Sequence, residues 1–136
     1  MPYSSVRSLE ALYDMVSNCQ AGDTRSLSVR SIFAAKRGNH HDAAELLGKC
    51  VTLEPGIAYY QQQLGRVCAK MGWWKQAMVA LNRAIYLDPY DAESWYGLGH
   101  VFRTVQKKKE AEFCFYQCLL VEPGFDKAIQ ALDGLH

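Results

Sequence analysis

The chain has 136 residues, a length typical of a single domain. Its hydrophobic content of 49% supplies a core, and 15 basic against 14 acidic residues give a formal net charge of +1. The balanced charge argues against nucleic acid as a partner, because nucleic-acid binding needs a clustered positive face. No apolar run approaches the roughly 20 residues that span a bilayer, so we expect no direct membrane insertion.

The five cysteines are odd in number and scattered, with no repeated CxxC spacing; they are Cys19, Cys50, Cys68, Cys114 and Cys118. This usage is typical of reduced thiols rather than of a disulfide framework. The stretch from Met1 to Met15 also lacks the apolar core of a secretory signal. Together these features predict a cytoplasmic protein.

The first predicted helix covers residues 4–20. Ser4 or Ser5 caps it. Apolar residues then recur at threes and fours; they are Val6, Leu9, Leu12, Tyr13 and Val16. Gly22 and Asp23 end the helix. Two interpretations stay open: the second helix of an incomplete repeat, or an independent helix that covers the end of the array or forms a homodimer.

Residues 24–57 predict a helix pair with a turn at Gly38 and Asn39. Its apolar and turn positions recur at a constant spacing in 58–91 and again in 92–125. In chain order they are Leu27, Ala34, Ala43, Leu47, Cys50 and Pro55; then Leu64, Gly65, Cys68, Ala77, Leu81, Ala84 and Pro89; then Trp95, Leu98, Gly99, Phe102, Ala111, Phe115, Cys118 and Pro123. Arg30 and Ser31 break the pattern, and an arginine is hard to bury.

An acidic residue precedes each of Pro55, Pro89 and Pro123. Proline cannot continue a helix and disfavours helical geometry in the residue before it, so each pair predicts a helix exit. Residues 126–135 predict a last helix with one apolar side. We interpret it as a capping helix, with the alternative that the chain is cut from a longer array.

The recurring residues resemble the tetratricopeptide repeat (TPR) signature, W-x2-L-G-x2-Y, A-x3-F and P, on a period of about 34 residues. Phe102 stands for the tyrosine, and Gln61 replaces the leading tryptophan in residues 58–91. The resemblance implies one all-α TPR domain over residues 1–136, with helix-turn-helix repeats in a right-handed superhelix. It also implies a protein-interaction module with no cofactor.

In this family the first helix of each repeat lines a concave groove. The resemblance implies a partner-binding set of Arg25, Ser28, Ile32, Lys36, Tyr59, Gln62, Arg66, Lys70, Glu93, Tyr96, His100 and Arg103. The set is mostly long, polar and basic, which favours a protein or peptide segment with acidic and apolar residues. Trp73 and Trp74 mark a secondary surface at the turn, where we expect one indole to pack and the other to be exposed.

Two subfamilies offer narrower comparisons. The clamp that holds the carboxylate of heat-shock chaperones needs lysine, asparagine and arginine where this chain has Ser28, Ile32, Gln63, Glu93 and Gly97. We therefore expect no co-chaperone role by that route. The length and layout are similar to those of the small chaperones that serve type III secretion translocators.

The remaining motifs concern metal binding and catalysis. Cys114 and Cys118 are one turn apart, and His40 and His41 are adjacent, but a structural metal site normally needs four ligands in recognisable spacing. The lysines at 107–109 predict a solvated turn. With no catalytic motif present, we expect no enzyme. Three functions stay open: an adaptor or assembly factor, a dedicated chaperone of a secreted protein, and a self-associating structural subunit.

Overall fold

The computed structural model describes residues 23–136, which contain seven α-helices and no strand, so the all-α prediction is confirmed. The predicted helix at 4–20, and with it the homodimer contact, lies outside the described residues. The helices are α1 (Thr24–Lys36), α2 (His40–Leu53), α3 (Ala58–Lys70), α4 (Trp74–Leu87), α5 (Ala92–Thr104), α6 (Lys108–Val121) and α7 (Asp126–Leu135).

The helices repeat with the period of the sequence. First helices begin at Thr24, Ala58, Ala92 and Asp126, and second helices at His40, Trp74 and Lys108, so both series advance by the same constant step. In the three complete pairs the first helix packs against the second helix of its own pair, and each second helix packs against the first helix that follows it. Between residues 23 and 136, no helix has both the length and the apolar character needed to cross a bilayer.

The three second helices end in the same way. Their last residues are followed by Glu54, Asp88 and Glu122, whose φ angles of −135°, −144° and −135° are extended. The amide of Glu54 donates to Cys50 O at 2.8 Å, and that of Asp88 donates to Ala84 O at 2.8 Å. A proline follows each of these residues, and it prevents the helix from continuing.

The turns inside the three pairs share a left-handed residue. Gly38 has a φ of 84° and Gly72 a φ of 77°, and the third pair has Gln106 with a φ of 68°. Glycine adopts this conformation without a steric penalty, whereas a side chain makes it costly. The first two turns are therefore built from a suitable residue, and the third is strained.

Close helix packing depends on two glycines inside first helices. A Cβ at Gly65 would lie 2.6 Å from Leu81 Cγ, and one at Gly99 would lie 2.7 Å from Phe115 Cε1. Leu81 and Phe115 are fully buried, and so are the thiol positions Cys50 and Cys118. The matched positions of the sequence pattern therefore form the continuous core between the helix pairs.

The first pair packs without the glycine. Ser31 stands in its place, is buried, and donates from Oγ to Ser28 O at 2.6 Å. Arg30 is half-buried, and its Nε is a buried atom that donates to no acceptor in residues 23–136. A buried donor without an acceptor is costly, so the departure at Arg30 and Ser31 weakens this part of the core.

Candidate functional site

A cavity of about 210 Å³ opens between the second and third helix pairs. Nine residues from four helices line it: Arg66, Ala69, Lys70, Leu81, Glu93, Tyr96, Gly97, His100 and Lys127. Five of them belong to the predicted binding set, namely Arg66, Lys70, Glu93, Tyr96 and His100. We call this space the groove cavity.

Tyr96 forms a rigid wall of the groove cavity. Its ring centroid lies 5.8 Å from that of Phe115 and 5.4 Å from that of Phe125, in tilted arrangements. Its ring also stacks with His100 at 6.5 Å. Tyr96 is only half-buried, so part of the ring faces the open cavity. A fixed aromatic wall offers contact area at a low cost in conformational entropy.

His100 is held in place by Arg103. Arg103 Nη2 lies 3.0 Å from His100 Nδ1, and the Arg103 guanidinium sits 5.7 Å above the centroid of Phe115. Partial burial, with the positive charge of Arg103 as a second cause, lowers the pKa of His100 below its usual range. His100 is therefore neutral at pH 7, and its Nδ1 accepts the hydrogen bond from Arg103.

Three cations and one carboxylate border the cavity. Arg66, Lys70 and Lys127 carry the positive charges, and Glu93 carries the negative one. All four side chains are exposed, and within residues 23–136 none of the three cations forms an ion pair. Excess positive charge beside low-dielectric walls attracts an anionic group. The groove cavity therefore combines an excess of positive charge with apolar walls.

Of the other four lining residues, Ala69 lies on a first helix that was expected to line the groove, whereas sequence reasoning missed Leu81, Gly97 and Lys127. Lys127 lies one repeat period after Glu93, so it occupies the same first-helix position in α7. The repeat period could therefore have identified Lys127 as a groove residue, but the apolar pattern of residues 126–135 indicated only a capping helix. Gly97 keeps the cavity open, since a Cβ there would lie 3.4 Å from Leu81 Cδ2 and occupy part of the space.

The other predicted contacts lie outside this cavity. Arg25, Ile32 and Lys36 are exposed on α1, whereas Ser28 is buried. Tyr59 is 48% exposed, and its ring meets that of Tyr60 edge-on at 6.2 Å.

Gln62, also in the predicted set, is buried and makes a structural contact instead. Its Nε2 donates to Asp91 Oδ2 at 2.6 Å. Ser28 and Gln62 thus face the packing between helices, and the exposed members of the predicted set remain available to a ligand.

The two adjacent tryptophans have different environments. Trp74 is half-buried against the core of the second and third pairs. Trp73 is 40% exposed, and its ring meets that of His41 edge-on at 5.8 Å. His41, Asp42 and Glu45 bring possible ligand atoms within 4.8 Å of one another, but all three side chains are exposed. Three exposed groups fall short of the four ligands of a structural site.

The thiols of the cysteines at core positions are buried and weakly reactive. Cys50, Cys68, Cys114 and Cys118 are free and buried. Burial raises the pKa of the Cys114 thiol to about 12 and that of the Cys118 thiol to about 11, and nearby carboxylates add to both shifts. A thiol rather than a thiolate is present at neutral pH, so these side chains are poor nucleophiles and poor metal ligands.

The tetratricopeptide repeat family model matches residues 58–91 and 92–125, which is half of the chain. The chain belongs to the TPR family. Its seven described helices match the superhelical TPR fold, which confirms the predicted fold class. The TPR family is a protein-interaction scaffold, and the groove cavity lies between the two matched repeats.

Solved TPR structures superpose on most of this chain. A crystal structure of MamA has a TM-score of 0.86 at 22% identity and covers 99% of this chain and 84% of its own. The first TPR of Spaghetti (RPAP3), bound to the HSP90 peptide SRMEEVD, has a TM-score of 0.80 at 18% identity, with 82% and 89% covered. YrrB, described as a TPR protein with an unusual peptide-binding site, has a TM-score of 0.85 at 18% identity, with 94% and 68% covered.

One curated relative shares sequence with part of the chain. The general transcriptional corepressor ssn6 of Schizosaccharomyces pombe is 37% identical over 54 residues. The match takes in 38% of this chain and 5% of the corepressor, so it reports shared repeats rather than a shared whole protein.

Proposed function

We propose that this TPR protein is an adaptor or assembly factor that binds a segment of a partner protein in the groove cavity. The observation that carries the proposal is the convergence of Arg66, Lys70 and Lys127 on one cavity with the Tyr96 ring as its wall. Binding rather than catalysis fits this arrangement, because the lining from residues 23–136 offers cations and apolar surface but no nucleophile beside a general base.

The chemistry of the cavity favours a segment with an acidic residue next to an apolar one. A carboxylate would sit among the three cations, and an apolar side chain would cover Ala69, Leu81 and the face of Tyr96. Glu93 opposes a segment with two adjacent carboxylates on its side of the cavity. The HSP90 peptide bound by the first TPR of Spaghetti (RPAP3) and the peptide-binding site of YrrB support a peptide segment as ligand.

A dedicated chaperone of a secreted protein is the alternative use of the same groove. The two functions predict different fates for the partner when this protein is deleted: an adaptor leaves the partner stable but unassembled, and a chaperone leaves it insoluble or degraded.

Self-association as a structural subunit, through residues 4–20 or through the surface of Trp73 and Trp74, remains a proposal from the sequence, as does cytoplasmic location. The buried reduced cysteines support a reducing compartment. A homodimer through residues 4–20 predicts a mass that rises with concentration in the absence of any partner. Deletion of residues 1–20 would abolish that rise.

The proposal is tested by affinity capture from the native cell followed by mass spectrometry. The test variant replaces the three cavity cations, Arg66→Ala, Lys70→Ala and Lys127→Ala. A matched control replaces three exposed lysines elsewhere, Lys49→Ala, Lys75→Ala and Lys108→Ala. We expect the wild type and the control to recover one common partner and the cavity variant to lose it. Equal recovery by all three proteins would refute the groove cavity as the binding site.

A further inference from the structure

His100 is a fixed hydrogen-bond donor at the wall of the groove cavity. Arg103 Nη2 lies 3.0 Å from His100 Nδ1. A guanidinium donates and never accepts, so Nδ1 accepts this bond and the proton of the neutral imidazole lies on Nε2. The ring is held from a second side by its stacking on Tyr96, with 6.5 Å between the ring centroids. Both the tautomer and the orientation of His100 are therefore set before a ligand binds.

The Nε2–H of His100 is free to bind a ligand. Within residues 23–136 it forms no hydrogen bond, and unlike the buried orphan atoms of Arg30, His40 and Gln61 it is accessible to solvent. His100 lines the groove cavity, so a group bound there can reach this N–H. A donor on an immobile ring selects an oxygen acceptor at one place, whereas the ammonium of an exposed lysine is a mobile point charge.

The charges beside His100 indicate which oxygen it binds. Arg66 lies one repeat period before His100, so it occupies the same first-helix position in α3, which contacts α5. Lys70 follows Arg66 by one helical turn. Glu93 precedes His100 by two turns, about 10 Å along α5, and Lys127 is its counterpart in α7. Among the described lining residues, the His100 end of the groove cavity carries cations and no carboxylate, which favours an anionic oxygen.

We propose that His100 is the specificity-determining contact of the groove cavity: its Nε2–H donates to one oxygen of a partner carboxylate, and Arg66 binds the other. Arg103 is a positioning residue, because it acts through His100 by fixing the proton on Nε2. This assignment rests on the proposed function and narrows it, since it places the acidic residue of the bound segment at the His100 end and its apolar neighbour against Leu81 and Tyr96. An amide side chain would lose the attraction of the charges, so the site separates acidic residues from their amides.

The test uses 4-methylpentanoate, a leucine-like chain that ends in a carboxylate, and its amide as the uncharged match. Nuclear magnetic resonance of the whole chain follows the Tyr96 ring during each titration. We expect saturable shifts with the carboxylate and at least roughly fivefold weaker binding of the amide. His100→Phe keeps a ring and removes the N–H, so it should weaken carboxylate binding by about tenfold. His41→Phe, at an exposed histidine on α2, is the matched control and should bind like wild type.

Three further readouts separate a donor from a structural role. The amide nitrogen of glutamine reaches close to the position of a histidine Nε2, so His100→Gln should recover most of the binding that His100→Phe loses. Saturation with the carboxylate should raise the pKa of His100, which burial and then Arg103 lower in the free protein, because a nearby negative charge favours the imidazolium. Arg103→Met should bind several-fold more weakly, and its imidazole nitrogen-15 signals should show both tautomers where wild type shows Nε2–H alone. The same tautomer in both proteins would overturn the positioning role of Arg103.

The outcomes distinguish this assignment from the proposed function. The assignment is overturned if His100→Phe binds the carboxylate like wild type, if the amide binds as tightly as the carboxylate, or if saturation leaves the pKa of His100 unchanged. The last two arms use the wild type, so they hold even where a variant fails to fold. The groove function then stands if the triple variant Arg66→Ala, Lys70→Ala and Lys127→Ala loses the probe. Absence of saturable shifts in wild type also overturns the assignment, and the affinity capture then decides the groove function by itself.

Discussion

Gln62 Nε2 donates to Asp91 Oδ2 at 2.6 Å, and this bond joins the first helix of repeat two to the start of repeat three. The same oxygen accepts from Ser94 Oγ at 2.7 Å, and Oδ1 accepts from the amide of Glu93 at 3.2 Å. Asp91 is therefore both the N-cap of α5 and a hydrogen-bonded link between two repeats.

Asp91→Ala should destabilise the protein by about 2 kcal/mol or more, because it removes a helix cap and leaves the buried Gln62 amide without an acceptor. Asp23→Ala is the matched control, since Asp23 caps α1 through Arg25 N at 3.1 Å and its side chain makes no second hydrogen bond within residues 23–136. We expect about 1 kcal/mol for that change. Urea denaturation measures the free energy of unfolding of both variants. Equal losses of stability would contradict a stabilising bond between Gln62 and Asp91.

Gly99→Ala should destabilise the protein by about 1–3 kcal/mol, because the new methyl group would overlap the buried Phe115 ring. Gly48→Ala is the matched control, also inside a helix but with no atom within 4 Å of the added Cβ. It should stabilise by about 0.5–1 kcal/mol through the higher helix propensity of alanine. We expect the melting temperature to fall in Gly99→Ala and to rise in Gly48→Ala. Changes of the same sign in the two variants would refute the packing role of Gly99.

Gln106→Gly should stabilise the protein by about 0.5–1 kcal/mol, because relief of left-handed strain exceeds the entropy that glycine adds to the unfolded chain. The strain arises from the φ of 68° at Gln106. The reciprocal change Gly72→Gln places a side chain at a φ of 77° and should destabilise. Chemical denaturation of both variants checks the pair. A loss of stability in Gln106→Gly would show that the glutamine side chain makes a compensating contact.

His100 should make the protein less stable as the pH falls below about 6.5, the usual pKa of histidine. Its pKa is lowered in the folded state, so the unfolded chain binds the proton first, and acidification from the unfolded pKa down to the folded pKa favours unfolding. The contribution of neutral His100 is fully present above that pH. We expect His100→Gln to show a smaller loss of melting temperature than wild type on acidification from neutral pH. Parallel profiles would contradict the lowered pKa.

The sequence predicts most of this fold because its period combines three independent signals. The prolines at 55, 89 and 123 end helices, Gly65 and Gly99 allow close packing, and the apolar positions between them form the core. Each signal is local, so it can be recognised without knowledge of distant contacts. The strained turn is harder to predict from the sequence, because Gln106 adopts a conformation that its residue type disfavours.

The candidate sites are less predictable, since they depend on contacts between repeats. The family pattern places Gln62 in the groove, but its bond to Asp91 turns it into a structural residue. Lys127 joins the groove cavity only because α7 continues the stacking of the first helices. The departure from the family pattern at Gln61 is visible in the sequence, whereas its burial, with no donor to its Oε1 among residues 23–136, requires coordinates.

The central claim is that the cations of the groove cavity bind a partner segment. Isothermal titration of the captured partner segment tests it most directly, with Arg66→Glu/Lys127→Glu compared against Lys75→Glu/Lys108→Glu. Both double variants change the net charge equally, but only the first changes the cavity. We predict at least a roughly tenfold loss of affinity, about 1.4 kcal/mol, for the first variant and little change for the second. Equal affinities for the two variants would contradict the claim.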